Sequence, residues 1–219
     1  MRTGARLFFA CSIAVLAAAR GAGGQATVEG VVAIPSQPAP PVPGWRYPSR
    51  VVGEIGEPEP LAAVVYLEGS FVAAPPAAKA VAEMSQLHYQ FVPGLLAIHA
   101  GSTVRFPNRD DEYHSVFSYS KAKRFDLGRY HRDESAAEIL FDEPGIVRLY
   151  CEIHDHMRGT ILVLETPYFA RTDAAGRYRL EGLPAGPHVL KAWRPPDEVI
   201  ERPIELSDGA TVRVDFPAE

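Results

Sequence analysis

Apolar and polar positions along this chain fall into short runs separated by turn residues. Thr27 to Ile34 (TVEGVVAI) and Leu61 to Leu67 (LAAVVYL) are rich in β-branched and aliphatic residues and predict strands. Leu95 to His99 and Thr103 to Phe106 predict two strands joined by a turn at Ala100-Gly101. Ser115 to Tyr119, Ala137 to Phe141, Ile146 to Tyr150 and Gly159 to Leu164 predict four more, with a turn at Glu143-Pro144-Gly145. Further on, Arg177 to Leu180 alternates as a half-buried strand does, His188 to Trp193 predicts another, and Thr211 to Phe216 alternates strictly. Pro35 to Pro60 has no apolar period and predicts a surface excursion, and Phe71 to Val81 predicts loop with a turn of helix. No long helical period is present. Short strands at this spacing predict an all-β protein built from sandwiches or a barrel.

The first 25 residues stand apart. Arg2 and Arg6 precede an apolar run from Leu7 to Ala19, which has the length of a signal h-region and falls short of the ~20 residues of a membrane span. Ala17-Ala18-Ala19 offers a cleavage site. The expectation is a cleaved export signal and a periplasmic or secreted protein with no stable membrane insertion; an uncleaved anchor is the alternative. Cys11 lies inside the apolar run behind Phe8-Phe9-Ala10, a poor context for lipidation.

Composition narrows the function. A hydrophobic fraction of 47% supports a sizeable core. The net charge of −5 lacks the basic surface that displaces counterions from phosphates, so no nucleic-acid partner is expected. Loss of the leader would leave one of two cysteines, Cys151, which then has no intramolecular disulfide partner.

Cys151 opens the most informative stretch, Tyr150-Cys-Glu-Ile-His-Asp-His-Met-Arg-Gly159. It sits between two predicted strands and gathers one thiol, two imidazoles and one thioether within seven residues. A soft thiolate, imidazoles and a weak thioether form the ligand set of a blue-copper site. The spacing brings Cys151, His154 and Met157 to one point of a short loop. The further imidazole that such a site needs is expected from His114, at the end of the polar loop after Phe106. His156 is an alternative second histidine, and a carboxylate among Asp110, Asp111 and Glu112 could ligate or orient His114. Cysteine–histidine nucleophilic catalysis is a rival, weakened because all its groups share one tight loop. Structural zinc favours several thiolates.

The stretch Cys-x-x-His-x-x-Met-Arg-Gly at 151–159, with Phe106-Pro107-Asn108 and His114-Ser115-Val116 upstream, resembles the cupredoxins, in particular the amicyanin and plastocyanin group, and the run NRDDEYHSVFSYSKAKRFDLGRY from Asn108 with CEIHDHMRG and TPYFARTD resembles plastocyanin-like methylamine-utilisation proteins. The resemblance implies a Greek-key β-sandwich over residues 84–165 holding one type 1 copper ion on His114, Cys151, His154 and Met157. It implies single-electron transfer between redox proteins rather than an enzyme activity; a copper-binding or delivery protein without a redox role, or a binding module, is the alternative. It also implies that Asn108 tethers the first-histidine loop to the cysteine loop. Ile153, where such loops carry Pro, and Ser115, where Asn is common, depart from the pattern. The run TDAAGRYRLEGLPAGPHVLKAW from Thr172 resembles carboxypeptidase-regulatory-like or transthyretin-like β-modules. The first strands of such a module are absent just upstream of Thr172 but present at 28–32 and 63–67. This implies a small sandwich of residues 26–82 with 166–219 into which the copper domain is inserted; the alternative is a sequential arrangement in which the N-terminal strands belong to the copper domain.

Overall fold

The computed structural model describes residues 25–34, 55–71 and 81–218. The expected export signal, most of the 35–60 excursion and most of the 71–81 loop lie outside them. The described residues form strands β1 (Ala26–Val31), β2 (Val64–Leu67), β3 (Ala82–Glu83), β4 (Ser85–Leu87), β5 (Gln90–Val92), β6 (Leu95–His99), β7 (Ser102–Phe106), β8 (His114–Tyr119) and β9 (Arg124–Tyr130). They continue with β10 (Ala137–Phe141), β11 (Gly145–Tyr150), β12 (Arg158–Leu164), β13 (Phe169–Arg171), β14 (Arg177–Leu183), β15 (Gly186–Arg194), β16 (Glu198–Leu206) and β17 (Thr211–Arg213). The protein is all-β. Among the described residues no helix is long and apolar enough to cross a membrane.

Residues 82–164 form one sandwich. A five-stranded sheet in the order β6-β12-β11-β8-β9 faces a smaller sheet, β10-β7-β3. Val116, Val147, Leu149 and Ile161 from the first sheet meet Val104, Phe106 and Phe141 from the second in a single buried cluster. Strands β6 and β7 follow each other across the expected turn but enter different sheets. The turn between them crosses the sandwich: Ala100 N–H donates to Leu164 O on one side and Gly101 N–H to Phe141 O on the other. Gly101 takes φ +89° there, a conformation open to glycine. The turn at 143–145 likewise passes from β10 in one sheet to β11 in the other.

The remaining strands form a second sandwich. Strand β1 pairs antiparallel with β14 and parallel with β17, while β2 pairs with β13 and β15, and β15 with β16. Val28, Val65, Leu67, Tyr178, Leu180, Leu190 and Phe216 share its core. The strands expected at 28–32 and 63–67 therefore lie beside the C-terminal ones. Gly30 is required at its position, because a Cβ there would overlap the Val214 carbonyl. Arg194, 2% exposed, donates to Ala33 O and Pro217 O and forms a two-pronged pair with Glu198, tying the early strand to the chain's last strands.

A third cluster joins the two sandwiches. Val65 and Leu67 point into the second core, so Val64 and Tyr66 point out, against Leu162 and Leu164 of β12 and Leu95 of β6, with Trp193 between them. Strand β12 is thus buried on both faces. This explains why GTILVL reads as a continuous apolar run instead of alternating.

Two long strands were not expected from the sequence. Strand β9 (RFDLGRY) is a polar edge strand, and β16 (EVIERPIEL) carries Pro203 and four charges. Both lie at sheet edges, where proline is tolerated because one side of the backbone has no partner and where charged side chains discourage further pairing.

Candidate metal centre

Four elements converge at one end of the first sandwich. His114 opens β8 after the 107–113 loop, and Cys151 follows β11 directly. His154 sits in the loop from β11 to β12, and the Met157 N–H closes that loop onto His154 O at 2.9 Å. The hairpin β4–β5 covers the group.

His114, Cys151 and His154 are brought together. Their ligand-type atoms all lie within 4.8 Å of one another. His114 Nδ1 is 3.1 Å from His154 Nδ1, and Cys151 Sγ is 4.0 and 3.8 Å from those two nitrogens. A point equidistant from the three atoms lies about 2.1 Å from each, within the range of first-row metal bonds to nitrogen and sulfur. The triangle therefore fits a metal ion without rearrangement. One thiolate with two imidazoles is the equatorial set of a blue-copper site. Met157 is 1% exposed and packs in the same buried cluster as Cys151.

The electrostatics prepare these groups as ligands. Burial pushes the Cys151 thiol up, but hydrogen bonding with His114 and with the backbone N–H groups of Ser115, His154 and Ile153 outweighs it, bringing the pKa from 9.0 to about 7. Burial and the neighbouring His114 and His156 lower His154 to about 4, so it is neutral at physiological pH. Burial also opposes charge on His114, but its contacts with Cys151 and Asp110 prevail and raise its pKa. A metal would displace the proton held among these groups.

Residues around the triangle fix its geometry. Asp110 Oδ2 lies 2.8 Å from His114 Nε2. The same carboxylate accepts the N–H groups of His88 and Tyr89 at 2.7 and 3.0 Å. Those two residues form the β4–β5 turn with φ of 51° and 58°, the left-handed pair that a two-residue hairpin needs, although neither is Gly or Asn. Such a conformation costs about 1–3 kcal/mol per residue and persists only when its surroundings hold it. The Tyr89 ring stands edge-on to His154 at 5.0 Å and to His114 at 5.7 Å. Ser115 donates its N–H to Cys151 Sγ at 3.5 Å, and its hydroxyl lies 3.8 Å from the same sulfur.

Asn108 differs from its expected role. Its Nδ2 donates to Glu112 O and Tyr130 O, and its Oδ1 accepts the Asp110 N–H. It shapes its own loop. The tether to the cysteine loop is Ser115, whose Oγ accepts the Glu152 N–H at 2.7 Å. The short serine side chain at 115 lies close enough to reach both the sulfur and the loop backbone. Of the acidic residues considered beside His114, Asp110 is the one in contact with it. Among the remaining histidines, His156 packs near His154 with ring centroids 6.0 Å apart and is outside the triangle. His99, His131 and His188 make local contacts, with Glu165 O, with Asp133 and Asp111 O, and with Pro184 O. Tyr89's position could not be read from the sequence, because the β4–β5 turn at His88-Tyr89 lacks turn residues.

No family model and no curated protein matches the chain. Solved structures similar to it include a purple cupredoxin from Nitrosopumilus maritimus, at 23% identity over 37% of this chain and 98% of that one, with a TM-score of 0.34. A Cu(I) amicyanin variant is 19% identical over 45% of this chain and 97% of its own, with a TM-score of 0.35. A copper-containing nitrite reductase from Thermus scotoductus is 24% identical over 45% of this chain, with a TM-score of 0.38, and the match spans 26% of that enzyme's chain. Each of these likenesses covers less than half of this chain.

Proposed function

We propose that this chain is an exported mononuclear type 1 copper protein that passes single electrons between redox proteins. The ligands are His114 Nδ1, Cys151 Sγ and His154 Nδ1, with Met157 as the weak axial donor. The observation that carries the reading is the triangle of these three donor atoms, whose sides of 3.1, 3.8 and 4.0 Å suit one first-row ion. Bound copper supplies a one-electron couple. The protein's own part is to hold the donors still. His114 is 0%, His154 4% and Cys151 5% exposed, each anchored by strand ends or backbone hydrogen bonds. That enclosure favours electron carriage over copper delivery, which needs an open and exchangeable site. It also disfavours Cys151 as a nucleophile, since a substrate would have to reach a buried sulfur.

The same reading starts the copper domain at residue 82 rather than the expected 84, because β3 pairs with β7, and runs it to 165; a supporting β-module takes residues 26–81 with 166–219, the first inserted into the second. The pairing of β1 with β14 and of β2 with β15 supports this division. The net charge of −5 suits a basic redox partner.

The test is a visible absorption spectrum of the copper-loaded, oxidised protein beside Cys151→Ser. An intense thiolate-to-copper band that disappears in the variant is expected. A pale complex unchanged by the variant would remove Cys151 from the ligand set and with it the electron-transfer reading.

A further inference from the structure

Behind His114, on the side away from the triangle, lies a second negative charge. The Asp110 side chain is 9% exposed, and the His114 side chain it meets is 0% exposed. Its hydrogen-bond partners among the described residues are the His88 and Tyr89 amides and His114 Nε2, with no lysine or arginine among them. Both oxygens are engaged, and the Asp110 N–H is itself held by Asn108 Oδ1 at 2.9 Å. The carboxylate is thus fixed from three directions: the 107–113 loop, the β4–β5 turn and the imidazole.

We propose that Asp110 is the positioning residue of this centre, fixing His114 with Nδ1 toward the metal and holding the reduction potential down through its buried charge. The inference rests on the copper reading above. With Nε2–H donated to the carboxylate, the lone pair available to a metal is on Nδ1, the atom already 3.1 Å from His154 Nδ1. A carboxylate behind a ligating imidazole fixes the ring and raises its basicity. A negative charge in a poorly solvated position stabilises the more highly charged metal state over the lower one, because little water is present to screen it. The same carboxylate holds the His88–Tyr89 turn, and through it the Tyr89 ring that packs on both imidazoles.

The experiment compares copper-loaded wild type, Asp110→Asn and Asp110→Glu by absorption spectrum and reduction potential, and the zinc-loaded forms by metal affinity. Asparagine keeps the shape but removes the charge, and with one acceptor oxygen it cannot hold His114 together with both the His88 and Tyr89 amides. Asp110→Asn is expected to retain the thiolate band, to raise the potential by at least 59 mV, the one-electron equivalent of a tenfold change, and to weaken zinc binding about tenfold. Asp110→Glu, which restores the charge, is expected to return most of the potential shift. An unchanged potential in Asp110→Asn, or a shift as large in Asp110→Glu, overturns the charge role. Unchanged zinc affinity in Asp110→Asn overturns the positioning role. A wild type without the thiolate band overturns the copper reading, and the zinc comparison then still decides positioning. If Asp110→Asn does not fold, Asp110→Glu carries the test through its potential and zinc affinity, both expected to stay near wild type.

Discussion

Ser115 reaches the Cys151 sulfur twice, through its N–H at 3.5 Å and its hydroxyl at 3.8 Å. The hydroxyl oxygen also accepts the Glu152 N–H at 2.7 Å, so its own hydrogen is free to turn toward the sulfur. One side chain therefore links the strand that carries the first histidine to the loop that carries the thiolate.

Hydrogen bonds to a ligating sulfur draw electron density from it and favour the reduced ion. Ser115→Ala removes the weaker bond, keeps the backbone one and orphans the Glu152 N–H. The reduction potential is expected to fall by ~20–60 mV, at most a tenfold change in the one-electron equilibrium. Cyclic voltammetry of the copper-loaded variant measures it. A rise would reverse the assigned direction of that bond.

Met157 tests the axial position. Replacement by Leu keeps the volume of a residue that is 1% exposed and removes the thioether. The thiolate band is expected to persist, since the triangle is untouched, while the potential rises by ~60–120 mV through loss of a fourth donor. A potential within ~10 mV of wild type would leave Met157 as core packing only.

Metal uptake is linked to protons. With Cys151 at about 7 and His154 at about 4, both are in ligand form above neutral pH. Below pH 7 a proton competes for the sulfur, and the raised pKa of His114 adds a second competitor. Zinc affinity is expected to fall at least about tenfold per pH unit from 7 to 5. Competition titrations at pH 8, 7, 6 and 5 measure the slope, and a flat profile would exclude the thiolate.

The metal-free protein has its own pH dependence. His154 is lowered from 6.5 to about 4, so the folded state resists its protonation. Its contribution is present above pH 6.5 and is lost as the pH falls toward 4, by ~3 kcal/mol at most. His114, with its raised pKa, works in the opposite sense, adding stability below 6.5 that is lost as the pH rises through its folded value. His154→Asn is expected to flatten the acid limb of the apoprotein's urea-unfolding profile between pH 6.5 and 4. A limb as steep as wild type would place the acid sensitivity elsewhere.

Trp193 tests the joint between the sandwiches. It is 2% exposed in the cluster with Val64, Leu162 and Leu164. Trp193→Ala is expected to cost ~3–5 kcal/mol in global stability. The thiolate band should be unchanged, because the joint lies on the outer face of β12 while the core cluster that includes Cys151 lies on the inner one. Loss of the band in a folded variant would mean that the module shapes the metal centre.

The sequence by itself determined the all-β class, most of the strands and the three residues whose donor atoms form the triangle. Strand periodicity is local, and the residues of the Cys151–Met157 loop are close in sequence, so both can be read without knowing the fold. The pairing of an N-terminal strand with residues near 180 was also legible, because the module's missing first strands reappeared at 28–32 and 63–67. What the sequence could not show depended on partners distant along the chain. Strands β9 and β16 are polar because they lie at sheet edges, and an edge is a property of the assembled sheet. Strands β6 and β7 part into different sheets because their turn finds acceptors on β12 and β10. Asp110 looked like one acid among three until folding set it against His114 and under the His88–Tyr89 turn. Ser115 looked like a departure from the expected asparagine until β8 and β11 lay side by side and brought its hydroxyl to the sulfur. Cys151 and His154 stand close in the sequence and could be read from local spacing; the orientation and charge of these side chains, and of His114, were decided by tertiary contacts, because hydrogen bonds and desolvation act only where the folded chain brings distant groups together.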